Sequence, residues 1–307
     1  MISRPRFGGF DASISRSLRC LSRGLLAAGL ALLLGVPAAT AEDTSKAQVR
    51  PVDFTTFTDL ADSALGDLQK MTAWKQEVPE IREVRIPSSS GGEAQPALFY
   101  DSGSREPRPL LVALHSWTAD YQKEFSIPYG AWAAKNDWVM IHPNYRGQFD
   151  RPEATLSDGA VEDILEALDW ATVNAAVDKD RIYITGFSGG AMAALLMAGR
   201  YPELWTAVVA WVPVYDLVEW YSTVHEHTKL HYASDIIASC GGKPLPDTAA
   251  AKECTKRSPS TYLSQARGHD VDVLIAVGIE DWFVPPAHGM WAYNALAEED
   301  DQLSAEE

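Results

Sequence analysis

Five stretches of the chain run apolar without alternating: PLLVALH (109–115), WVMIHPN (138–144), RIYITGF (181–187), AVVAWVPV (207–214) and VDVLIAVG (271–278). A strand open to water on one face alternates polar and apolar residues. An unbroken apolar run is expected where helices cover both faces, as in a parallel sheet. Helical patterns lie between most of these runs. The best covers 158–172, where Ala160, Val161, Ile164, Leu165, Leu168 and Ala171 form one stripe. Strand–helix–strand alternation predicts an α/β fold, a mostly parallel sheet with helices on both faces. Such sheets bind ligands at the carboxyl ends of their strands.

Upstream, IREVRIP (81–87) and PALFY (96–100) read as a hairpin, with Ser88 to Gly92 as its turn. Phe57, Leu60, Ala64, Leu68 and Met71 predict an amphipathic helix over 56–74. The alternation breaks twice. Residues 215–266 carry aromatics, histidines and a cysteine pair, and are expected to form a cap over the carboxyl edge. No strand pattern follows Gly278.

The first 41 residues change the picture of the mature chain. Arg4, Arg6, Arg16, Arg19 and Arg23 precede an apolar stretch from Gly24 to Val36, and Ala39-Thr40-Ala41 is a small-x-small cleavage pattern. This reads as an export signal, too short to favour a membrane span. Cleavage would leave 42–307 as one large α/β domain, secreted or periplasmic. Losing five Arg and one Asp would take the net charge from −16 to −20. That acidity argues against nucleic acid and anionic membrane as partners. Cys20 leaves with the signal, so Cys240 and Cys254 remain. In an exported chain they point to a disulfide, with two free thiols as the alternative. No Cys/His spacing resembles a zinc site, and no cofactor is implied.

The chemistry centres on Gly186-Phe187-Ser188-Gly189-Gly190, a G-x-S-x-G pattern with a strand before it and a helix after it. That context gives the motif its meaning. The turn is tight, so its flanking residues lack bulk. It holds the serine strained and exposed above the sheet edge. Ser188 is the expected nucleophile, and the N–H of Gly189 points where an oxyanion would form. The second donor is expected from His115-Ser116-Trp117, with the N–H of Trp117 or of Ser116 as candidate. The acid is expected after a later strand. Asp281, with Glu280 behind it, follows VDVLIAVG and precedes Val284-Pro285.

The chain resembles an α/β-hydrolase, and within that group the prolyl oligopeptidase (S9-like) catalytic domain in its short, propeller-free, exported form. The resemblance covers about residues 80–300. It rests on LLVALHSWTAD, IHPNYRG, VDKDRIYITGFSGGAMAALLMA, AWVPVYDLVEWY, CGGKP with KRSPSTYL, and GIEDWFVP. It implies Ser188 as nucleophile and Asp281 as acid. It departs from the family at Ala191, where another glycine is frequent, and in its Ser-Trp oxyanion loop. It implies a secreted serine hydrolase acting on a small-molecule, peptide or polysaccharide-ester substrate, by peptidase or esterase chemistry.

The resemblance also implies a histidine after the acid, beyond one more strand. Only 26 residues follow Asp281, and they hold one histidine, His288, seven positions on. His288 is expected to support the turn or cap the next helix. His115 precedes the nucleophile and reads as structural. His225, His227 and His231 belong to the cap. Three explanations stay open: a chain lacking its last strand and helix, which the pattern favours, a pseudoenzyme or binding protein, and a base from an unexpected place.

Overall fold

The structure is a computed structural model that describes residues 67–225 and 231–304. It opens with α1 (Asp67–Glu77), β1 (Arg82–Ile86), β2 (Gln95–Tyr100) and β3 (Arg108–Leu114). Next come α2 (Ile127–Lys135), β4 (Val139–Pro143), α3 (Asp158–Asn174), β5 (Val177–Phe187), α4 (Gly189–Arg200) and β6 (Ala207–Trp211). The segment to the last strand holds α5 (Leu217–Val224), α6 (Tyr232–Cys240) and α7 (Ala249–Lys256). Then β7 (Asp272–Ala276) and α8 (Ala287–Leu296) follow. The export signal over 1–41, the 56–66 part of the first expected helix, and His227 lie outside the described residues.

The seven strands form one sheet in the order β1-β2-β4-β3-β5-β6-β7. β1 pairs with β2, and β2 with β4, antiparallel; β4, β3, β5, β6 and β7 are parallel neighbours. Successive side chains leave a strand on opposite faces. In β3, Leu110, Val112 and Leu114 therefore join one core with α3 and α4. Leu111 and Ala113 join a second core with Trp74, Val78 and Ala133 of α1, its following turn and α2. Both cores exclude water around β3, β4 and β5, which is why these strands carry unbroken apolar runs.

The other end of the sheet departs from that expectation. VDVLIAVG forms β7, but the strand is not buried on both faces. Val273 and Ile275 face α8 and the first core, whereas Leu274 is exposed. Among the described residues no strand pairs with the outer side of β7. A groove of about 670 Å³ runs between β7 and α8, lined by Val273, Ile275, Met290, Tyr293 and Leu296 among others. The run 207–214 also ends early as a strand. Val212 turns to φ 53, and its N–H reaches across to the Ala276 carbonyl at 2.7 Å.

Between β6 and β7 the described part of the cap is helical. Asp216 caps α5 by accepting from the N–H groups of Val218 and Glu219. The disulfide Cys240–Cys254 joins the end of α6 to α7, with Cα atoms 5.5 Å apart. Among the described residues no helix is long and apolar enough to cross a membrane.

Candidate active site

Ser188 stands between β5 and α4 at φ 54, ψ −114. This backbone conformation is rare for a side chain with a Cβ and costs on the order of 1–3 kcal/mol. Its neighbours are glycines because the turn has no room. A Cβ on Gly186 would overlap the carbonyl carbon and oxygen of Gly190, and one on Gly190 would stand 2.7 Å from the His115 oxygen. The Ser188 N–H is committed to the Trp211 carbonyl of β6 at 2.8 Å. Its carbonyl starts the helix by accepting from Met192. The strain is thus held by both neighbouring elements. The Ser188 hydroxyl meets no hydrogen-bond partner among the described residues.

The loop after β3 comes down beside this turn. A Cβ on Gly189 would lie 2.7 Å from the Trp117 nitrogen, so the two backbones touch. Gly189 is the first residue of α4, where the N–H has no intrahelical acceptor. The Trp117 N–H donates to no backbone carbonyl among the described residues. Two free N–H groups therefore lie side by side next to Ser188, at the positive end of a helix. The Trp117 carbonyl accepts from Phe149 at 3.0 Å, and its buried ring packs edge-on against Phe149 and Trp220.

Asp281 lies past β7, half-buried. Its Oδ1 accepts from the N–H groups of Phe283 and Val284, both at 2.9 Å. That holds the turn and fixes the carboxylate. Its Oδ2 meets no donor among the described residues. Glu280 is exposed.

The histidines are engaged elsewhere. His288, buried in α8, accepts at Nδ1 from the Tyr215 N–H at 3.2 Å, and packs on Trp291. Burial pulls its pKa down to about 4, so the ring is neutral near pH 7. It ties α8 to the chain leaving β6. His115 is wholly buried and stacks on Tyr145 at 4.1 Å. Its nitrogens face the Ser116 and Asn144 carbonyls at 3.0 and 2.8 Å, two acceptors of which a neutral ring satisfies one. Burial still wins over these carbonyls and lowers its pKa. His225 stacks on Tyr221 and its Nδ1 contacts the Tyr221 carbonyl. His231 lies exposed just before α6. Among the described residues no histidine hydrogen-bonds Ser188 or Asp281, and no three His, Cys, Asp or Glu side chains cluster to hold a metal.

Sequence reading missed His142 and Asp235. His142, inside β4, is wholly buried. Its Nδ1 contacts the Ala113 carbonyl at 2.7 Å and its Nε2 is unpartnered. Its apolar run hides it. Asp235 of α6 accepts from the Trp117 indole N–H at 3.1 Å, over 118 positions of sequence. A carboxylate in the first turn of a helix is too ordinary to flag such a contact.

A profile described as "Prolyl oligopeptidase family" matches residues 124–306, which include Ser188 and Asp281 but not Trp117. Acetylxylan esterase A of Emericella nidulans is 33% identical over 113 residues, 34% of this chain and 37% of the esterase. The acylamino-acid-releasing enzyme of Mus musculus is 26% identical over 209 residues, 64% of this chain and 27% of that enzyme. The chain thus spans about a third of the length of these relatives. Among solved structures, the acylaminoacyl peptidase of Pyrococcus horikoshii superposes with a TM-score of 0.54 at 17% identity, over 70% of this chain and 34% of that one. That likeness shows the α/β-hydrolase fold.

Proposed function

The chain belongs to the prolyl oligopeptidase family, and from that premise we propose that it is an exported serine hydrolase that opens an ester or peptide bond through an acyl-enzyme on Ser188. One observation carries the reading. A strained serine at φ 54 presents an unpartnered hydroxyl beside the two free N–H groups of Gly189 and Trp117.

The Ser188 oxygen attacks the substrate carbonyl carbon as its hydroxyl proton passes to solvent water. The carbonyl oxygen becomes an oxyanion, which the Gly189 and Trp117 N–H groups stabilise. Collapse expels the leaving group, which takes a proton from water and departs as the alcohol or amine, and leaves the acyl group on Ser188. Water then adds to the acyl carbon, and the second collapse releases the acid. Asp281 stands ready, through Oδ2, to orient and charge-stabilise an imidazole. Among the described residues no histidine fills that place, and a serine hydroxyl without such a base has a high pKa and attacks slowly. Removing a triad member leaves about 10³ to 10⁴-fold acceleration over water. Slow turnover is therefore the expected state of the chain with this set of residues.

The names of the relatives, acetylxylan esterase and acylamino-acid-releasing enzyme, support an acylated sugar or an acylated peptide as substrate. Exposed Trp282, stacked on Phe283 next to Asp281, offers a surface for either. The pattern over residues 1–41 supports export, and N-terminal sequencing of the secreted protein should begin at Glu42.

A fluorophosphonate probe and p-nitrophenyl acetate test the reading together. Slow labelling and slow hydrolysis, both lost in Ser188→Ala, are the expected outcome. Label on a folded Ser188→Ala chain, or equal hydrolysis by it, would sink the idea. The second reading is a binding protein that uses the same pocket without turnover. It draws on the absence of a histidine at the Ser188 hydroxyl among the described residues, and it predicts no labelling of the folded wild-type chain.

A further inference from the structure

The oxyanion loop is short, and its own backbone holds little of it. The Ala119 N–H closes a turn on the Ser116 carbonyl at 3.1 Å, and Phe149 holds the Trp117 carbonyl. What fixes the rotation of Trp117 about those points is its side chain. The indole is 1% exposed and meets Phe149, Trp220 and Tyr232 edge-on at 5.2, 4.9 and 6.4 Å. Its N–H ends on the Asp235 carboxylate. Trp220 and Tyr232 belong to α5 and α6, so three of the four groups that grip the ring come from the cap.

We propose that Asp235 is a positioning residue, whose carboxylate on the cap holds the Trp117 indole and so aims the Trp117 backbone N–H at the oxyanion. The proposal rests on Ser188 being the nucleophile. It explains an arrangement that packing alone does not require: a carboxylate half-withdrawn from water, whose pKa burial raises and the indole N–H opposes. The same cap reaches the acid loop. The Trp220 indole donates to the Phe283 carbonyl at 2.7 Å, two residues past Asp281. Two touching indoles thus connect the cap to the oxyanion donor on one side and to the acid turn on the other. The cap is itself braced, by the disulfide between α6 and α7 and by the buried Ser239–Thr155 hydroxyl pair at 2.7 Å. Trp117 lies upstream of the residues that match the family, 124–306, and Asp235 lies within them.

Asp235→Asn keeps an acceptor for the indole, and Asp235→Leu removes it. The full chain is assayed on p-nitrophenyl acetate for kcat and KM separately. Selective ¹⁵N labelling of tryptophan and glycine reads the Trp117 and Gly189 amides. In Asp235→Leu the expected result is a kcat lower by about tenfold or more at nearly constant KM, because a small misplacement at the reacting centre is that costly. The Trp117 amide resonance should move, and Asp235→Asn should restore both readouts to near wild type. A mere loss of stability would not spare KM or be rescued by Asn. Wild-type kcat and an unmoved Trp117 amide in Asp235→Leu overturn the proposal. Should Asp235→Leu fail to fold, Trp117→Phe removes the indole N–H and keeps an aromatic ring. It should show the same loss of kcat, and wild-type kcat in that variant overturns the proposal. Hydrolysis that survives in Ser188→Ala instead defeats the nucleophile assignment, and the amide spectra then decide the positioning alone.

Discussion

The middle of the sheet and its β6–β7 end contrast sharply. Around β3, β4 and β5, helices cover both faces, glycines let backbones touch, and Ser188 is clamped from two sides. At β7, α8 covers one face. Leu274, Val277 and Ile279 are exposed, and the outer edge of the strand is unpaired among the described residues. The proposed nucleophile and both proposed oxyanion donors come from the closed region, and the proposed acid comes from the open one. The half of the site that must hold strain is built into the rigid part of the fold. The half that would meet a proton carrier lies where packing is thin.

The largest expected effect tests the closed region. Gly186→Ala places a methyl group inside the Gly190 carbonyl, backbone against backbone, with no flexible side chain to give way. The variant should lose at least about 4 kcal/mol and unfold or aggregate on expression. A denaturant midpoint within error of wild type would show that the turn relaxes, and that the tightness of this region is overstated.

Acid should weaken both regions, through neutral histidines buried in each. His142, in the closed region, and His288, in the open one, have pKa values pulled down by burial to about 4 from 6.5. The unfolded chain binds these protons first. Their stabilisation is therefore complete above pH 6.5 and falls as the pH drops toward 4. Each shift corresponds to about 3 kcal/mol in total, of which about 2 should be lost by pH 5. Urea midpoints at pH 7 and pH 5 measure this. In His142→Gln the pH slope should shrink, and an unchanged slope would remove His142 from the account.

Reduction of Cys240–Cys254 should loosen the cap. The bridge spans 14 positions, and in the chain-entropy model a loop of that length is worth about 3 kcal/mol. The reduced protein should melt lower, with its cap amides exchanging faster than those of α4. Equal exchange in cap and sheet would mean that the cap is held by its indole contacts rather than by the bridge.

The two regions also differ in how well the sequence reveals them. The elbow was legible because strand, glycine spacing and helix all agree within a dozen residues. The apolar runs of β3, β4 and β5 were legible because both their faces are covered. VDVLIAVG has the same composition as those runs, and nothing local tells that one face of Leu274 stays open. β5 starts at Val177, four residues before its apolar run, since the polar Asp178 to Asp180 still follow the strand path. His288 was expected to support a turn or cap a helix. It does neither: it lies inside α8 and accepts from the Tyr215 N–H, 73 positions away, so it ties that helix to the chain leaving β6. The Asp235–Trp117 bond was invisible for the same reason: it exists only once the loop after β3 and the distant helix α6 are brought together.

The smallest expected effect is the sharpest test of the open end. Ile279 is 91% exposed just past β7, next to Trp282 at 51% and Val277 at 39%. A lysine at 279 removes little buried surface, so Ile279→Lys should change stability by no more than about 0.5 kcal/mol. It should still alter behaviour. An unpaired strand edge flanked by apolar side chains favours association with other chains, and a charge there opposes it. Sedimentation velocity at rising concentration should therefore show less self-association in Ile279→Lys than in wild type, at an unchanged melting temperature. A loss of more than about 1 kcal/mol would mean that Ile279 is covered in solution. The contrast between the two ends of the sheet would then reflect a missing cover and not a thin one.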